Sequence, residues 1–196
     1  FQNMIFRTIG HIFSIRMGEK NMKKPEIIVF AGPNGSGKST VTALAKTIGV
    51  YVNADDIKKA VNCSDLEAAE QAEKLRWGLV NSKSDFTFET VLSTDRNLKL
   101  LKCARDNGYF IRCYYILTAD PDINVQRVRI RVQAGGHDVP VEKVRNRYYK
   151  SLGLLPELIK VCDICHIYDN SSDAPVRIFK KRKEANFFWP NNYWEM

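Results

Sequence analysis

The chain predicts an α/β fold, a parallel five-stranded sheet flanked by helices, and two observations predict it. Short apolar, β-branched segments alternate with longer stretches of helical periodicity, the pattern of parallel strands joined by crossover helices. A glycine-rich segment, Ala31 to Thr40, sits between the first such strand and the first such helix, where open sheets of this class carry their ligands. With 196 residues the chain suits one domain with a substantial core. Its 44% hydrophobic and 27% charged residues argue against a disordered chain. No run reaches the ~18 apolar residues of a membrane helix.

Taken in order, Glu26 to Ala31 is the first strand and Val41 to Ile48 is helix-compatible. Tyr51 to Asn53 is a short second strand. Asp65 to Ser82 reads as a helix capped by Ser64, with Leu66, Ala69, Ala72, Leu75 and Leu79 near one face. Phe86 to Glu89 is the third strand. A helix from about Thr94 to Asn107 follows, capped by Ser93 or Thr94 and ended by Gly108. Tyr109 to Leu117, the longest apolar run, is the fourth strand. A basic helix runs from Pro121 to about Gln133, then a loop, Ala134 to Pro140, then a helix from Val141 to about Leu155. Ile164 to Tyr168 is the fifth strand, and Val176 to Phe179 could add an edge strand. The aromatic tail gives no clear signal.

Residues 22–196 form the predicted domain. Residues 1–21 are expected to be an upstream extension or a cloning remnant, since Met22-Lys23-Lys24-Pro25 reads as a natural start, with Met17 another candidate; with only Arg7 ahead of its apolar stripe and no A-x-A site after it, the segment is a poor signal peptide. Five scattered cysteines, an odd number, suggest reduced thiols and a cytoplasmic location. Cys162-Asp163-Ile164-Cys165-His166 matches the c-type haem attachment spacing, but it falls inside a predicted buried strand and reads as coincidence. The formal charge of +8 suits nucleic acid, a membrane surface or an anionic substrate. The basic residues are dispersed and no nucleic-acid motif accompanies them, so a positively charged nucleotide site is the preferred explanation.

The segment Ala31-Gly32-Pro33-Asn34-Gly35-Ser36-Gly37-Lys38-Ser39-Thr40 has the spacing G-x-x-x-x-G-K-[ST] of a phosphate-binding loop. Glycines let the backbone curl so that successive N–H groups point at one anion. The helix that follows adds partial positive charge. Lys38 reaches the β- and γ-phosphates of ATP in such loops, and the Ser39 hydroxyl ligates Mg2+. The expected fold is therefore the P-loop NTPase fold.

Three later segments speak to what receives the phosphate. Asp55, in Asn53-Ala54-Asp55-Asp56-Ile57-Lys58, lies just past the second strand, where a carboxylate can orient an attacking hydroxyl. Capping the next helix is its alternative role, and Asp56 competes for either. Glu89 and Thr90, in Phe88-Glu89-Thr90-Val91-Leu92-Ser93, end the third strand and could hydrogen-bond substrate hydroxyls. Glu89 and Asp169 each fit a loose Walker B pattern without establishing one. Arg127 and Arg131 are i, i+4 and share a helix face, with Arg129 pointing elsewhere. With the Gly135-Gly136-His137 loop they resemble a kinase lid, which excludes water and neutralises transition-state charge. Arg145 and Arg147 are further lid candidates, and His137 reads as a structural loop residue.

Together AGPNGSGKST (31–40), NADDIK (53–58), FETVLS (88–93), RVRIRVQAGGHDVP (127–140), RNRYYKSL (145–152) and YDNS (168–171) resemble the zeta-toxin family of P-loop kinases, including its predicted-ATPase relatives. The resemblance spans about Pro25 to Lys180. It implies a nucleotide-kinase-like fold with a helical lid, using ATP and Mg2+. Characterised toxins of the family phosphorylate the 3′-hydroxyl of UDP-N-acetylglucosamine and are held by a small antitoxin. The resemblance implies Asp55 as general base, Lys58 as a nearby basic residue, and Glu89 with Thr90 on the sugar. It implies Arg127 as a charge-stabilising lid residue and Asn170 near the adenine. Those toxins carry a second arginine inside the lid segment. Here Gly135-Gly136-His137-Asp138 stands in that place and Arg131 is the nearest substitute, which leaves the acceptor open.

The expected activity is transfer of the ATP γ-phosphate to a hydroxyl of a small acceptor such as UDP-N-acetylglucosamine, with neither a membrane nor nucleic acid as partner. The alternatives are a nucleic-acid-associated ATPase or polynucleotide kinase, and a nucleotide-binding module without catalysis.

Overall fold

The computed structural model describes residues 23–190, 193 and 194. The expectation for residues 1–21 lies outside the described residues. The strands are β1 (Glu26–Ala31), β2 (Val50–Val52), β3 (Phe86–Thr90), β4 (Phe110–Leu117), β5 (Ile164–Asp169), β6 (Val176–Arg182) and β7 (Ala185–Phe188). The helices are α1 (Lys38–Leu44), α2 (Ala54–Val61), α3 (Asp65–Asn81), α4 (Arg96–Asp106), α5 (Pro121–Gln133) and α6 (Val141–Val161).

The sheet order is β2-β3-β1-β4-β5-β6-β7. The first five of these strands are parallel, as the sequence predicts, and β6 and β7 extend the sheet antiparallel. The sheet therefore has seven strands. β6 continues to Arg182 and turns into β7, an exposed hairpin whose polar, charged residues hid it from periodicity. The chain leaves β1 toward β3 on one side and later fills β4 on the other. The carboxyl end of β1 is thus the switch point where such sheets bind ligands.

The main core lies on one face of the sheet. Ile27, Val29, Phe86, Phe88, Ile111, Cys113, Tyr115 and Cys165 meet Leu98, Leu101 and Ala104 of α4 and Leu158 and Val161 of α6. Alternate residues on the other face include Phe30, Tyr114, His166 and Tyr168, whose rings stack in sequence at 5.2, 5.3 and 6.3 Å. The thiols of Cys162 and Cys165 are buried beside Cys113, so the haem-like spacing does belong to core packing. A smaller cluster, Val125, Val128, Val139 and Val144, fastens α5 to α6.

Three local expectations change. α3 has the predicted Ser64 cap, in a reciprocal capping box with Glu67. Its buried stripe, however, is Ala68, Ala72, Arg76 and Val80, while Leu66 is 67% and Leu75 41% exposed. The apolar residues of this helix are spread around its axis, and the cation on the inward stripe broke the period. α4 starts one residue later than a Thr94 cap requires and two later than a Ser93 cap, with Asp95 at its N-cap making no side-chain bond. α6 runs through Pro156 to Val161, because Leu158 and Val161 are buried in the core and hold the helix past the missing N–H.

Candidate active site

The loop after β1 is held to its neighbours by backbone. Gly32 has φ +141°, and a Cβ there would lie 2.0 Å from the Ile116 carbonyl oxygen. Gly37, the N-cap of α1, has φ +93°, and a Cβ there would lie 2.3 Å from Asn170 Nδ2. Both positions exclude any side chain. Asn170 Nδ2 donates to the Ser36 carbonyl at 2.8 Å, so this side chain supports the loop from beneath. On the other side the buried Asn124 donates from Nδ2 to the Asn34 carbonyl at 2.7 Å and accepts from the Thr118 hydroxyl. Pro33 is buried at the loop's base.

A cavity of about 570 Å³ opens beside the loop. Gly35, Gly37, Lys38, Ser39 and Thr40 border it, with Asp55, Lys58, Glu89, Thr90, Arg127 and Arg131. Every residue predicted for catalysis or acceptor binding therefore faces one space. Asn34 borders it too, whereas Gly32, Pro33, Ser36 and Asn170 do not. Lys38 Nζ donates to the Gly32 and Pro33 carbonyls at 2.7 and 2.9 Å. Burial lowers its pKa to about 8, against the opposing pull of Glu89; Arg131 lowers it further and Asp55 raises it.

Asp55 is the second residue of α2. The cap is Asn53, whose Oδ1 accepts from the Asp55 N–H at 3.0 Å, so the Asp55 carboxylate is free of the capping role. Asp55 borders the cavity and Asp56 does not. Lys58 pairs with Asp65 of α3 at 2.6 Å. Glu89 Oε1 accepts from the Tyr51 hydroxyl at 2.8 Å, and Asn53 Nδ2 donates to that hydroxyl at 3.3 Å. Burial, helped by the bond to Glu89, pushes the Tyr51 hydroxyl far above its ordinary pKa and keeps it a donor. Thr90 Oγ1 accepts from Leu92 N–H at 2.9 Å and from Asn97 Nδ2 at 2.8 Å. Those bonds hold Leu92 at φ +55° and leave the Thr90 proton to be donated.

The lid segment closes over one side of the cavity. Arg131 Nη2 donates to the His137 carbonyl at 2.7 Å, which folds the Gly135-Gly136 turn back on its own helix. His137 Nε2 lies 3.7 Å from Asp65, so lid and α3 meet there. Arg127 has an enclosed Nη1 with no hydrogen-bond partner among the described residues. Arg129 stands outside the cavity and Arg145 pairs with Asp122, whereas Arg147 borders the cavity and donates to Asn34 Oδ1 at 3.3 Å. Asp169 is spent on structure, accepting from Ser171 and from Trp194 Nε1.

A triphosphate fits this donor set. The enclosed Arg127 Nη1 lacks a partner, and the cradle at Gly37 is one a Cβ would fill. The hydroxyls of Ser39 and Thr40 are exposed at the cavity and are the hard oxygen donors a magnesium ion takes. Sequence reasoning missed Tyr51, Asn97, Asn124 and Arg76. Tyr51 and Asn124 act through Glu89 and Asn34, distant in sequence, and Asn97 through Thr90 seven residues back, and no local spacing marks them. Arg76 did carry a signal, a cation on the stripe of α3 that must face inward.

Comparison with known proteins agrees with this architecture. A protein of Haemophilus influenzae, itself uncharacterised, is 29% identical over 127 residues, covering 62% of this chain and 91% of its own. The structure of AvrRxo1-ORF1 with AvrRxo1-ORF2 and sulphate ions superposes with TM-score 0.66 at 14% identity, over 87% of this chain. This chain spans 62% of that neighbour's length. The same pair has also been solved with ATP. The PezAT chromosomal toxin–antitoxin system of Streptococcus pneumoniae gives TM-score 0.55 at 20% identity, over 85% of this chain and 78% of that one. These structural likenesses carry the fold. The family model described as zeta toxin matches residues 11–191, and the chain belongs to the zeta toxin family.

Proposed function

We propose that the protein transfers the γ-phosphate of ATP to a hydroxyl of a small acceptor. One observation carries this reading: Lys38 of the phosphate loop and the carboxylates of Asp55 and Glu89 border a single cavity. In this reading the loop amides, Lys38 and Arg127 hold the triphosphate. The acceptor oxygen forms a bond to the γ-phosphorus while the bond to the β–γ bridging oxygen breaks, and its electron pair leaves with ADP. Asp55 accepts the acceptor's proton. An ordinary carboxylate suffices, because the transition state is loose and the proton leaves late. Ser39 would hold Mg2+, which neutralises charge on the phosphates. Glu89, steadied by Tyr51, and the free Thr90 proton orient the acceptor. Arg131 and Arg147 add positive charge, and the docked lid keeps water from the γ-phosphate.

The family resemblance makes UDP-N-acetylglucosamine the first acceptor to assay, and a small antitoxin is the proposed partner. The PezAT neighbour supports the latter, coming from a toxin–antitoxin system. No helix among the described residues is long and apolar enough to cross a membrane, and with reduced thiols we place the activity in the cytoplasm.

Labelled ATP incubated with the protein and a metabolite extract tests the reading. A labelled small-molecule product is expected, and it disappears with Lys38→Ala, which also weakens ATP binding. ATP turnover that instead rises on adding RNA or DNA, with steep salt dependence, would replace it with the nucleic-acid reading.

A further inference from the structure

Arg76 has no counterpart in the machinery just described. It projects from the inward stripe of α3 and is 8% exposed. Its guanidinium lies 5.2 Å over the Phe88 ring, one residue before Glu89 in β3. Among the described residues it makes no hydrogen bond and no ion pair, and its Nε is fully enclosed without an acceptor. Glu73, the nearest carboxylate, is directed to Arg96 at 3.5 Å. Burial accordingly lowers the Arg76 pKa.

A buried cation in that state is expensive to keep. The ring contact contributes roughly 0.5–2 kcal/mol and satisfies none of the five N–H donors. A leucine of similar volume would fill the space without stranding them. The surroundings leave room for an acceptor to reach the group. Ala72 and Ala68, one and two turns back on the same stripe, end at Cβ and make the wall of the cavity that Arg76 also borders. Ser93 and Asn97 border it beyond the end of β3. The cavity carries six cations and three carboxylates, more positive charge than a magnesium triphosphate needs.

Resting on the kinase reading, we infer that Arg76 is an anchor for an oxyanion on the acceptor: the molecule phosphorylated carries a phosphate or a carboxylate as well as the hydroxyl. The planar guanidinium then gains the paired, charge-assisted hydrogen bonds it lacks. A neutral sugar or alcohol leaves it stranded and is rejected.

The test reads Arg76 directly. In protein carrying isotope-labelled arginine nitrogen, the enclosed Nε–H gives its own resonance, assigned by its loss in Arg76→Lys. With the phosphate loop filled by a non-hydrolysable ATP analogue and Mg2+, inorganic phosphate and, separately, acetate are titrated. A saturable shift with phosphate identifies a phosphate-bearing acceptor, and one with acetate a carboxylate-bearing one. No saturable shift with either, or the same shift with sodium chloride at equal ionic strength, overturns the inference. In transfer assays Arg76→Leu should raise the acceptor KM about 10- to 100-fold at unchanged ATP affinity, with partial recovery in Arg76→Lys. Wild-type KM in Arg76→Leu also overturns it. The resonance in the wild-type protein needs no variant to fold and no turnover, so failure of the kinase reading shows separately, as no transfer of label from ATP to a small molecule.

Discussion

Lys38 donates to two loop carbonyls at the place where a triphosphate would take its protons. Its lowered pKa of about 8 gives ATP affinity a defined pH dependence. Bound phosphates favour the charged ammonium, so ATP binding takes up a proton once the free enzyme's Lys38 has lost it. ATP affinity should be flat below pH 8 and fall about tenfold per unit above it. Calorimetry at pH 8 to 9.5 in buffers of different ionisation enthalpy should show that uptake, and Lys38→Met should abolish it. Asp55 gives the complementary case. Asp55→Asn should bind ATP as the wild type does while transfer falls about 10²- to 10⁴-fold, the range for loss of a positioned base. Unchanged transfer in single-turnover assays would remove Asp55 from the mechanism. Tyr51→Phe removes the hydrogen bond to Glu89 and should raise the acceptor KM with little effect on ATP affinity.

At the scale of elements, lid and α3 meet through His137 and Asp65, and Asp65 also holds Lys58. These contacts are exposed and individually weak, as suits a lid that opens and shuts. Asp65→Asn should loosen it and raise the ratio of ATP hydrolysis to transfer severalfold, read from phosphate release with and without acceptor. Much of this level was legible in the sequence. The loop between Ile28 and Val41, the arginines four apart and the Ser64 cap are local features, and local physics places them. The stripe of α3 was not, because Ala68 and Ala72 carry almost no hydrophobic signal and Arg76 carries the opposite one. What faces inward there is decided by a cavity, and a cavity is a property of neighbours. The last helix runs past the expected end near Leu155 for a related reason: it survives Pro156 because Leu158 beyond it is buried. Asn170 was placed near adenine by resemblance, and only the fold shows its amide bonded to Ser36.

For the whole molecule, the second face of the sheet is tied together by rings from β1, β4 and β5. His166 sits in that row, and burial, with Lys180, Arg177 and Arg112 nearby, lowers its pKa to about 4. The unfolded chain binds this proton near pH 6.5, the folded one only near pH 4. Stability is therefore intact above pH 6.5 and declines as pH falls toward 4. Thermal melts of wild type and His166→Phe across that window should diverge as the pH drops, with the phenylalanine variant the flatter. At the far rim, β7 is exposed throughout, with Phe187 47% and Phe188 60% accessible. Its outer row of amides and carbonyls is a ready template for a stranger's backbone. Concentrated preparations should therefore clump rim to rim, and a lysine placed at Phe188 should keep them clear.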